Sequence, residues 1–115
     1  MIDTHLHLDD PAFSGKVDEI IAQMTLCGVE LAINNSCDFA TMHSGVALAD
    51  KYEQIFATVG MHPHDSKSFD DAFERDMRAL AANPKVVAVG EIGLDYHYED
   101  VPRAVQQQAF RAQLE

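Results

Sequence analysis

The strongest constraint on the fold is a regular alternation of apolar β-type runs with segments of helical periodicity. The apolar runs lie at residues 2–8, 29–33, 55–59 and 86–89. Apolar residues at helical spacing follow each run: Val17, Ile20, Ile21 and Met24; Phe39, Met42, Val46 and Ala49; Phe69, Phe73, Met77 and Leu80; Val105, Ala109 and Ala112. Continuously apolar strands separated by helices indicate a parallel sheet, because parallel strands need crossover connections and are buried on both faces. The sequence therefore predicts an α/β fold of order βαβαβαβα.

Turn and capping residues mark the ends of the predicted helices. Asp38 is placed to cap the second helix, and Ser68-Phe69-Asp70-Asp71 is typical of a capping box ahead of the third. Asn83-Pro84 ends the third helix, and Pro102 introduces the fourth.

Two α/β architectures accommodate four such units. A doubly wound four-stranded sheet suits 115 residues, whereas a complete (β/α)8 barrel needs about 250 residues. Functional groups from strands one and four converge naturally across the mouth of a barrel, and these two strands carry the chain's candidate ligands. We therefore predict the N-terminal half of a TIM (β/α)8 barrel, with residues 1–115 forming strands one to four of one partial domain.

Composition and charge narrow the class of protein. Apolar residues make up 47% of the chain, and no apolar run approaches the roughly 20 residues that span a bilayer. We expect a soluble, cytoplasmic protein without a membrane partner, in which Cys27 and Cys37 are reduced. A formal charge of -11 argues against a basic surface that grips nucleic acid through its phosphates. Bound divalent cations can supply the positive charge instead, so metal-dependent phosphodiester chemistry remains open.

The first strand carries two histidines two positions apart. On a β-strand this spacing sends His5 and His7 to one face together with Asp3, while Leu6 and Leu8 face the covering helix. Neutral imidazoles on a rigid strand are suitable ligands for a divalent metal. The spacing also recurs by chance on solvated edge strands, so two histidines alone leave both interpretations open.

A carboxylate lies at the end of the fourth strand. Glu91 shares the parity of Val87 and Val89, so its side chain should point to the barrel interior where the strand ends. An interior glutamate needs a partner, and metal coordination or a basic neighbour is the usual one. Gly90 and Gly93 flank it and permit a bend with close backbone approach.

Loops after the third and fourth strands offer candidate substrate residues. His62 has the parity of Thr58 and Gly60 and should face the same site, although a packed or surface histidine is the alternative. Asp95 and Tyr96 lie in the loop after the fourth strand, where a turn aspartate and a loop-packing aromatic are equally open interpretations.

Three motifs together resemble those of the TatD family of metal-dependent deoxyribonucleases. In chain order they are DTHLHLD at 3–9, GMHPH at 60–64 and GEIGLDY at 90–96. The resemblance covers the whole chain but only the N-terminal portion of the family's barrel. It implies a hydrolase of phosphodiester bonds, such as an exonuclease, that uses magnesium, manganese or zinc and acts on DNA or another nucleic acid.

The resemblance also implies roles for individual residues. His5 and His7 would be ligands of one divalent metal, and the catalytic Glu91 would bridge it to a second. His62 would contact a phosphate of the substrate. Asp95 and Tyr96 would make further substrate contacts. A metal-activated water would attack the phosphodiester while the metals stabilise the developing charge.

The family completes its site with two further histidines and an aspartate from later strands, beyond residue 115. We therefore expect this chain alone to hold at most one metal and to be inactive. Open edges at strands one and four predict self-association of two half barrels, or pairing with a separate C-terminal half. An amidohydrolase-like enzyme acting on small cyclic amides or esters, and a non-catalytic fragment, are the alternative hypotheses.

Overall fold

The computed structural model describes all 115 residues as four strands that alternate with four α-helices. The strands are β1 (Ile2–Leu6), β2 (Leu31–Asn34), β3 (Ile55–Val59) and β4 (Val86–Val89). The helices are α1 (Val17–Leu26), α2 (Phe39–Lys51), α3 (Asp71–Leu80) and α4 (Arg103–Leu114), and short 3-10 helices occupy Pro11–Phe13 and Pro63–Ser68. The predicted order βαβαβαβα is confirmed. None of the helices is both long and apolar enough to cross a membrane.

The four strands form one parallel sheet in the order β1-β2-β3-β4. A doubly wound sheet reverses its strand order at a switch point, whereas a barrel adds each new strand beside the previous one. The sequential order therefore favours the barrel type over the doubly wound type. All four carboxyl ends lie at the same edge of the sheet, which brings the loops after the strands together.

The two faces of the sheet differ in burial. On the helix-covered face, Ala32, Ile55 and Val59 are fully buried. They belong to one apolar core: Leu8, Ile21, Ala32, Met42, Val46, Ala49, Ile55, Ala57, Val59, Met61, Phe73 and Met77. On the opposite face, Val87 and Val89 remain 49% and 44% exposed. The apolar core thus lies between the sheet and the helices, whereas the outer strand β4 remains largely exposed.

The second strand begins later than predicted. Residue 29 was expected to start it, but the Val29 amide donates to the Met24 carbonyl and closes the end of α1, where Gly28 adopts a φ of +80°. The strand therefore runs from Leu31 to Asn34.

The third helix also begins later than predicted. Its N-cap is Asp70, whose carboxylate accepts from the Phe73 amide at 2.8 Å. Ser68 ends the preceding 3-10 helix and Phe69 follows it, so neither belongs to α3. The proposed capping box from Ser68 is wrong because Pro63 starts a separate helical segment that uses those residues.

The fourth helix buries Ala109 as predicted, but the rest of its buried face is displaced by one residue. Val105 and Ala112 are only half-buried, whereas Gln106 and Gln113 are buried beside Ala109. Apolar periodicity misses this face because the two amides bond to backbone groups of neighbouring loops.

Candidate metal centre

The side chains of His5, His7 and Glu91 converge at the carboxyl edge of the sheet. The Nε2 atoms of both histidines lie 3.2 Å from the same oxygen, Oε1 of Glu91. One ligand-type atom from each residue lies within 4.8 Å of the others. Atoms bound to one ion at about 2.1 Å, with angles of about 90–110°, lie roughly 2.9–3.4 Å apart. The observed spacing therefore has the dimensions of one edge of a metal coordination shell.

His7 is oriented by the backbone that follows β2. Its Nδ1 lies 3.0 Å from the carbonyl oxygen of Asn35. A carbonyl oxygen only accepts, so Nδ1 carries a proton and Nε2 of the neutral imidazole presents its lone pair to Glu91. Two acceptor atoms 3.2 Å apart need a proton or a cation between them. A metal ion meets that need without protonating the imidazole, and the Asn35 carbonyl fixes the ring as outer partners of metal-bound histidines do.

His5 is the more exposed of the two histidines, with 58% of its side chain accessible. Its backbone amide donates to Asp3 Oδ1 at 3.0 Å, so Asp3 supports the strand rather than an imidazole. The His5 and His7 rings meet edge to face, with centroids 5.2 Å apart and planes at 76°. One side of the cluster is therefore open to solvent, and water can occupy the remaining coordination positions.

Glu91 is placed by hydrogen bonds from the two central strands. Its amide donates to the Ser36 carbonyl at 2.6 Å. The Ser36 hydroxyl lies 2.7 Å from the Gly60 carbonyl and 3.1 Å from the Gly90 carbonyl, which also accepts from the Thr58 hydroxyl. The Gly90–Glu91 peptide bond is cis. The backbone that presents the carboxylate is thus fixed by buried polar groups after β2 and on β3.

Gly60 is required by the close approach of the loops after β3 and β4. A Cβ at this position would lie 2.9 Å from Cγ2 of Ile92 and 3.0 Å from backbone atoms of Gly90. The loop that carries Glu91 can approach β3 only because residue 60 has no side chain.

Cys37 lies beside the cluster and was not identified from the sequence as a site residue. Its Sγ is 3.6 Å from Glu91 Oε1, the same oxygen that both histidines face. Burial raises the pKa of the Cys37 thiol to about 12, with the Glu91 carboxylate adding to the effect. The thiol therefore remains protonated and can donate a weak S–H hydrogen bond to the carboxylate. Its position three residues after β2, at the carboxyl edge, was the available signal.

His62 lies one loop away from this cluster. Its amide donates to the Cys37 carbonyl at 2.7 Å, and its Nδ1 accepts from the His64 amide at 3.2 Å. The rings of His62 and His64 meet edge to face at 4.7 Å. His64 was also missed from the sequence, although it belongs to the same GMHPH motif.

Asp95 and Tyr96 lie towards α4 in different environments. Asp95 Oδ2 is 2.9 Å from His64 Nε2, and the hydrogen bond from the His97 amide, with the charge of His64, lowers the pKa of the Asp95 carboxyl. The Tyr96 hydroxyl accepts from Gln107 Nε2 at 2.9 Å, and its ring lies under the Arg103 guanidinium. Asp95 thus contacts the loop that carries His62, whereas the Tyr96 side chain contacts α4.

Comparison with known proteins identifies the family to which this chain belongs. The family described as TatD related DNase matches residues 2–115. The chain belongs to the TatD family. TatD-family membership agrees with the parallel β/α units and with the convergence of groups from β1 and β4.

The curated relatives match nearly the whole of this chain, but the match spans less than half of their own length. The 3'-5' ssDNA/RNA exonuclease TatD of Cronobacter turicensis is 34% identical over 114 residues, which are 99% of this chain and 43% of that protein. The uncharacterised metal-dependent hydrolase YabD of Bacillus subtilis is 32% identical over 114 residues, 99% of this chain and 45% of the relative.

Two solved structures also match nearly all of this chain over less than half of their own length. The crystal structure of YjjV, a TatD homologue from Escherichia coli K12, superposes with a TM-score of 0.90 at 34% identity, covering 99% of this chain and 45% of that one. An uncharacterised amidohydrolase from Saccharomyces cerevisiae matches at 21% identity with a TM-score of 0.79, covering 98% and 42%, and shows the fold alone. The four β/α units therefore correspond to about half of a TatD TIM barrel.

Proposed function

We propose that residues 1–115 form the N-terminal, metal-binding part of a hydrolase that cleaves phosphodiester bonds of single-stranded nucleic acid. The main observation in support of this proposal is that His5 and His7 converge on one oxygen of Glu91. Two lone-pair nitrogens and a carboxylate around one point are a ligand set for a divalent cation. The names of the relatives, a ssDNA/RNA exonuclease and a metal-dependent hydrolase, supply the reaction and substrate class.

In this proposal, His5, His7 and Glu91 would hold a magnesium, manganese or zinc ion, and Glu91 would also serve a second ion in a completed site. A divalent metal held by these residues would supply an activated water and stabilise negative charge on the phosphate. His62 donates a hydrogen bond to a phosphate oxygen, and Asp95 and Tyr96 shape the wall of the substrate site. The exposed side of His5 would leave room for water and substrate beside the cluster.

The open edges of the sheet form a second part of the proposal. β1 and β4 each have one paired neighbour, so their outer backbone groups are free to pair with another strand. Ile2 and Val87 on these strands are also largely exposed. We propose that a second half barrel covers these edges, either from another copy of this chain or from a separate C-terminal half. Size-exclusion chromatography with light scattering tests this, and a stable monomer across the micromolar range would contradict it.

The test of function is a nuclease assay on end-labelled single-stranded DNA with added magnesium, manganese or zinc. It compares the 115-residue chain with a chimera in which the chain replaces the matching N-terminal part of YjjV, because the chain spans about 45% of that protein. We expect metal-dependent release of nucleotides by the chimera and its loss in His5→Ala and Glu91→Ala.

The matched control is His43→Ala, which removes an imidazole paired with Asp76 between α2 and α3. This variant should retain activity. Equal turnover by all variants of the folded chimera would show that the cluster is not catalytic. Hydrolysis of small cyclic amides or esters without nucleic-acid cleavage would instead support the amidohydrolase-like alternative.

A further inference from the structure

Two buried glutamines connect α4 to the loops that follow β3 and β4. Gln106 is 1% exposed and Gln113 is 5% exposed. They lie seven residues apart and so project from the same face of the helix, two turns from each other. Buried glutamine amides must find hydrogen-bond partners, since an unsatisfied amide costs roughly 1–3 kcal/mol.

Each glutamine bonds to both backbone groups of one loop residue. Gln106 Oε1 accepts from the Asp95 amide at 2.8 Å, and its Nε2 donates to the Asp95 carbonyl at 2.8 Å. Gln113 Oε1 accepts from the Met61 amide at 2.6 Å, and its Nε2 donates to the Met61 carbonyl at 3.3 Å. A planar carboxamide that pairs with an amide and a carbonyl of one residue fixes both the position and the orientation of that residue.

The two residues held in this way belong to the candidate substrate site. Met61 immediately precedes His62, and the Asp95 carboxylate lies 2.9 Å from His64 Nε2. The His64 amide donates to His62 Nδ1 at 3.2 Å. The glutamines of α4 therefore act on His62 from two directions, through the chain at Met61 and through the Asp95–His64 contact.

The hydrogen bond from His64 determines which nitrogen of His62 carries the proton. A ring nitrogen that accepts a hydrogen bond has no proton of its own, so in the neutral imidazole of His62 the proton resides on Nε2. Nε2–H is then a hydrogen-bond donor. Phosphodiester oxygens are acceptors, so this tautomer is the one that suits a phosphate ligand.

We propose that Gln106 and Gln113 are positioning residues that hold His62 as a fixed Nε2–H donor towards a phosphodiester oxygen of the substrate. The identity of the acceptor rests on the proposed function, whereas the fixed tautomer and its dependence on α4 do not. The first experiment therefore needs neither substrate nor metal.

That experiment is ¹⁵N NMR of the imidazole rings of the 115-residue chain at roughly pH 8.5, where histidine side chains are ordinarily neutral. We expect His62 to show the Nε2–H pattern. Gln106→Met and Gln113→Met keep side-chain length but remove every hydrogen bond of the carboxamide, which for Gln106 include a third one, from Nε2 to the Val101 carbonyl at 3.2 Å. Both variants should give a mixture of tautomers. Gln108→Met, at an exposed position of the same helix, is the control and should leave the pattern unchanged.

A protonated Nδ1 in the wild-type chain would overturn the inference, as would an unchanged tautomer in folded Gln106→Met and Gln113→Met. If either variant does not fold, hydrogen exchange of the wild-type chain decides instead. The amides of Met61 and Asp95 should then be among the protected amides of the chain, and rapid exchange at both would contradict the positioning role.

The second experiment measures binding of a phosphorothioate-linked oligothymidylate to the same variants in the presence of manganese. Loss of the fixed donor should raise its dissociation constant about tenfold in Gln106→Met and Gln113→Met, while manganese affinity stays the same. A parallel loss of manganese affinity would indicate general loosening and would contradict the inference. Absence of oligonucleotide binding by the wild-type chain would count against the phosphodiester ligand, leaving the tautomer result to decide the positioning role.

Discussion

The two central strands and the two outer strands of this sheet contribute differently to the site. β2 and β3 are largely buried, with Ala32, Ile55 and Val59 inaccessible to solvent. β1 and β4 are largely exposed, and Val87 is about half accessible. The candidate ligands nevertheless come from the outer strands, while the groups that orient them come from the central ones.

This division has a physical reason. A ligand must reach solvent and substrate, so His5 and Glu91 lie where the sheet is open. The groups that hold them must not move or bond to water, and the buried Ser36 and Thr58 meet that condition. In this fold, the central strands and the loops that follow them fix the positions of the candidate ligands. The outer strands leave these ligands accessible to solvent and substrate.

The largest expected effect is on global stability. Ile55→Ala should lower the free energy of unfolding by about 2–5 kcal/mol, because it leaves a cavity at a fully buried position of β3. In the monomeric chain, Val87→Ala on β4 should cost less than about 1 kcal/mol, because roughly half of that side chain is exposed when no second chain covers it. Urea unfolding followed by circular dichroism measures both. Equal costs for the two variants would mean that the outer strands are as tightly packed in solution as the central ones.

The next prediction concerns Gly60, where one substitution should affect both the free energy of unfolding and the metal affinity. Gly60→Ala introduces a Cβ 3.0 Å from the Gly90 backbone, so the loop bearing Glu91 must shift. We expect a loss of about 1–3 kcal/mol and weaker metal binding. Gly90→Ala is the matched control, since its Cβ would meet only Thr58, at 3.9 Å. Calorimetric metal titration of both variants is the measurement, and undiminished affinity in Gly60→Ala would show that the Gly60 contact does not set the position of Glu91.

The smallest effect concerns the two thiols. Because burial raises the pKa of Cys37 to about 12, this residue has far less thiolate than an ordinary cysteine near neutral pH. In chelator-treated protein at roughly pH 8, iodoacetamide should therefore modify the exposed Cys27 and leave Cys37 largely unmodified. Because the folded-state pKa is the higher one, this thiol favours the folded state less and less as pH rises from 9 towards 12. Mass spectrometry locates the label, and faster alkylation of Cys37 than of Cys27 would contradict the burial of Cys37 beside Glu91.

The sequence predicts most of the fold because strand boundaries coincide with abrupt changes in polarity. Strands 55–59 and 86–89 have their predicted limits, since turn residues bound both runs. The second strand is displaced because a backbone hydrogen bond at the end of α1 uses the Val29 amide, and side-chain hydropathy carries no information about that bond.

The sequence predicts the histidine pair and Glu91 because parity and strand position determine where these side chains point. It does not predict the contributions of Cys37 and His64, which arise from contacts between residues far apart in the chain. Gln106 and Gln113 are missed for a related reason. A polar residue on a helix is expected to face solvent. Only the tertiary structure shows that backbone groups of two loops form hydrogen bonds with these side-chain amides.

The most direct test of the proposed centre is isothermal titration of the 115-residue chain with zinc and with manganese. One ion should bind per chain with a dissociation constant below about 1 μM for zinc. Binding should be lost in His5→Ala, in His7→Ala and in Glu91→Gln, but retained in His43→Ala. The absence of binding heat in the folded wild-type chain, or equal affinity in all four variants, would contradict a metal centre at His5, His7 and Glu91.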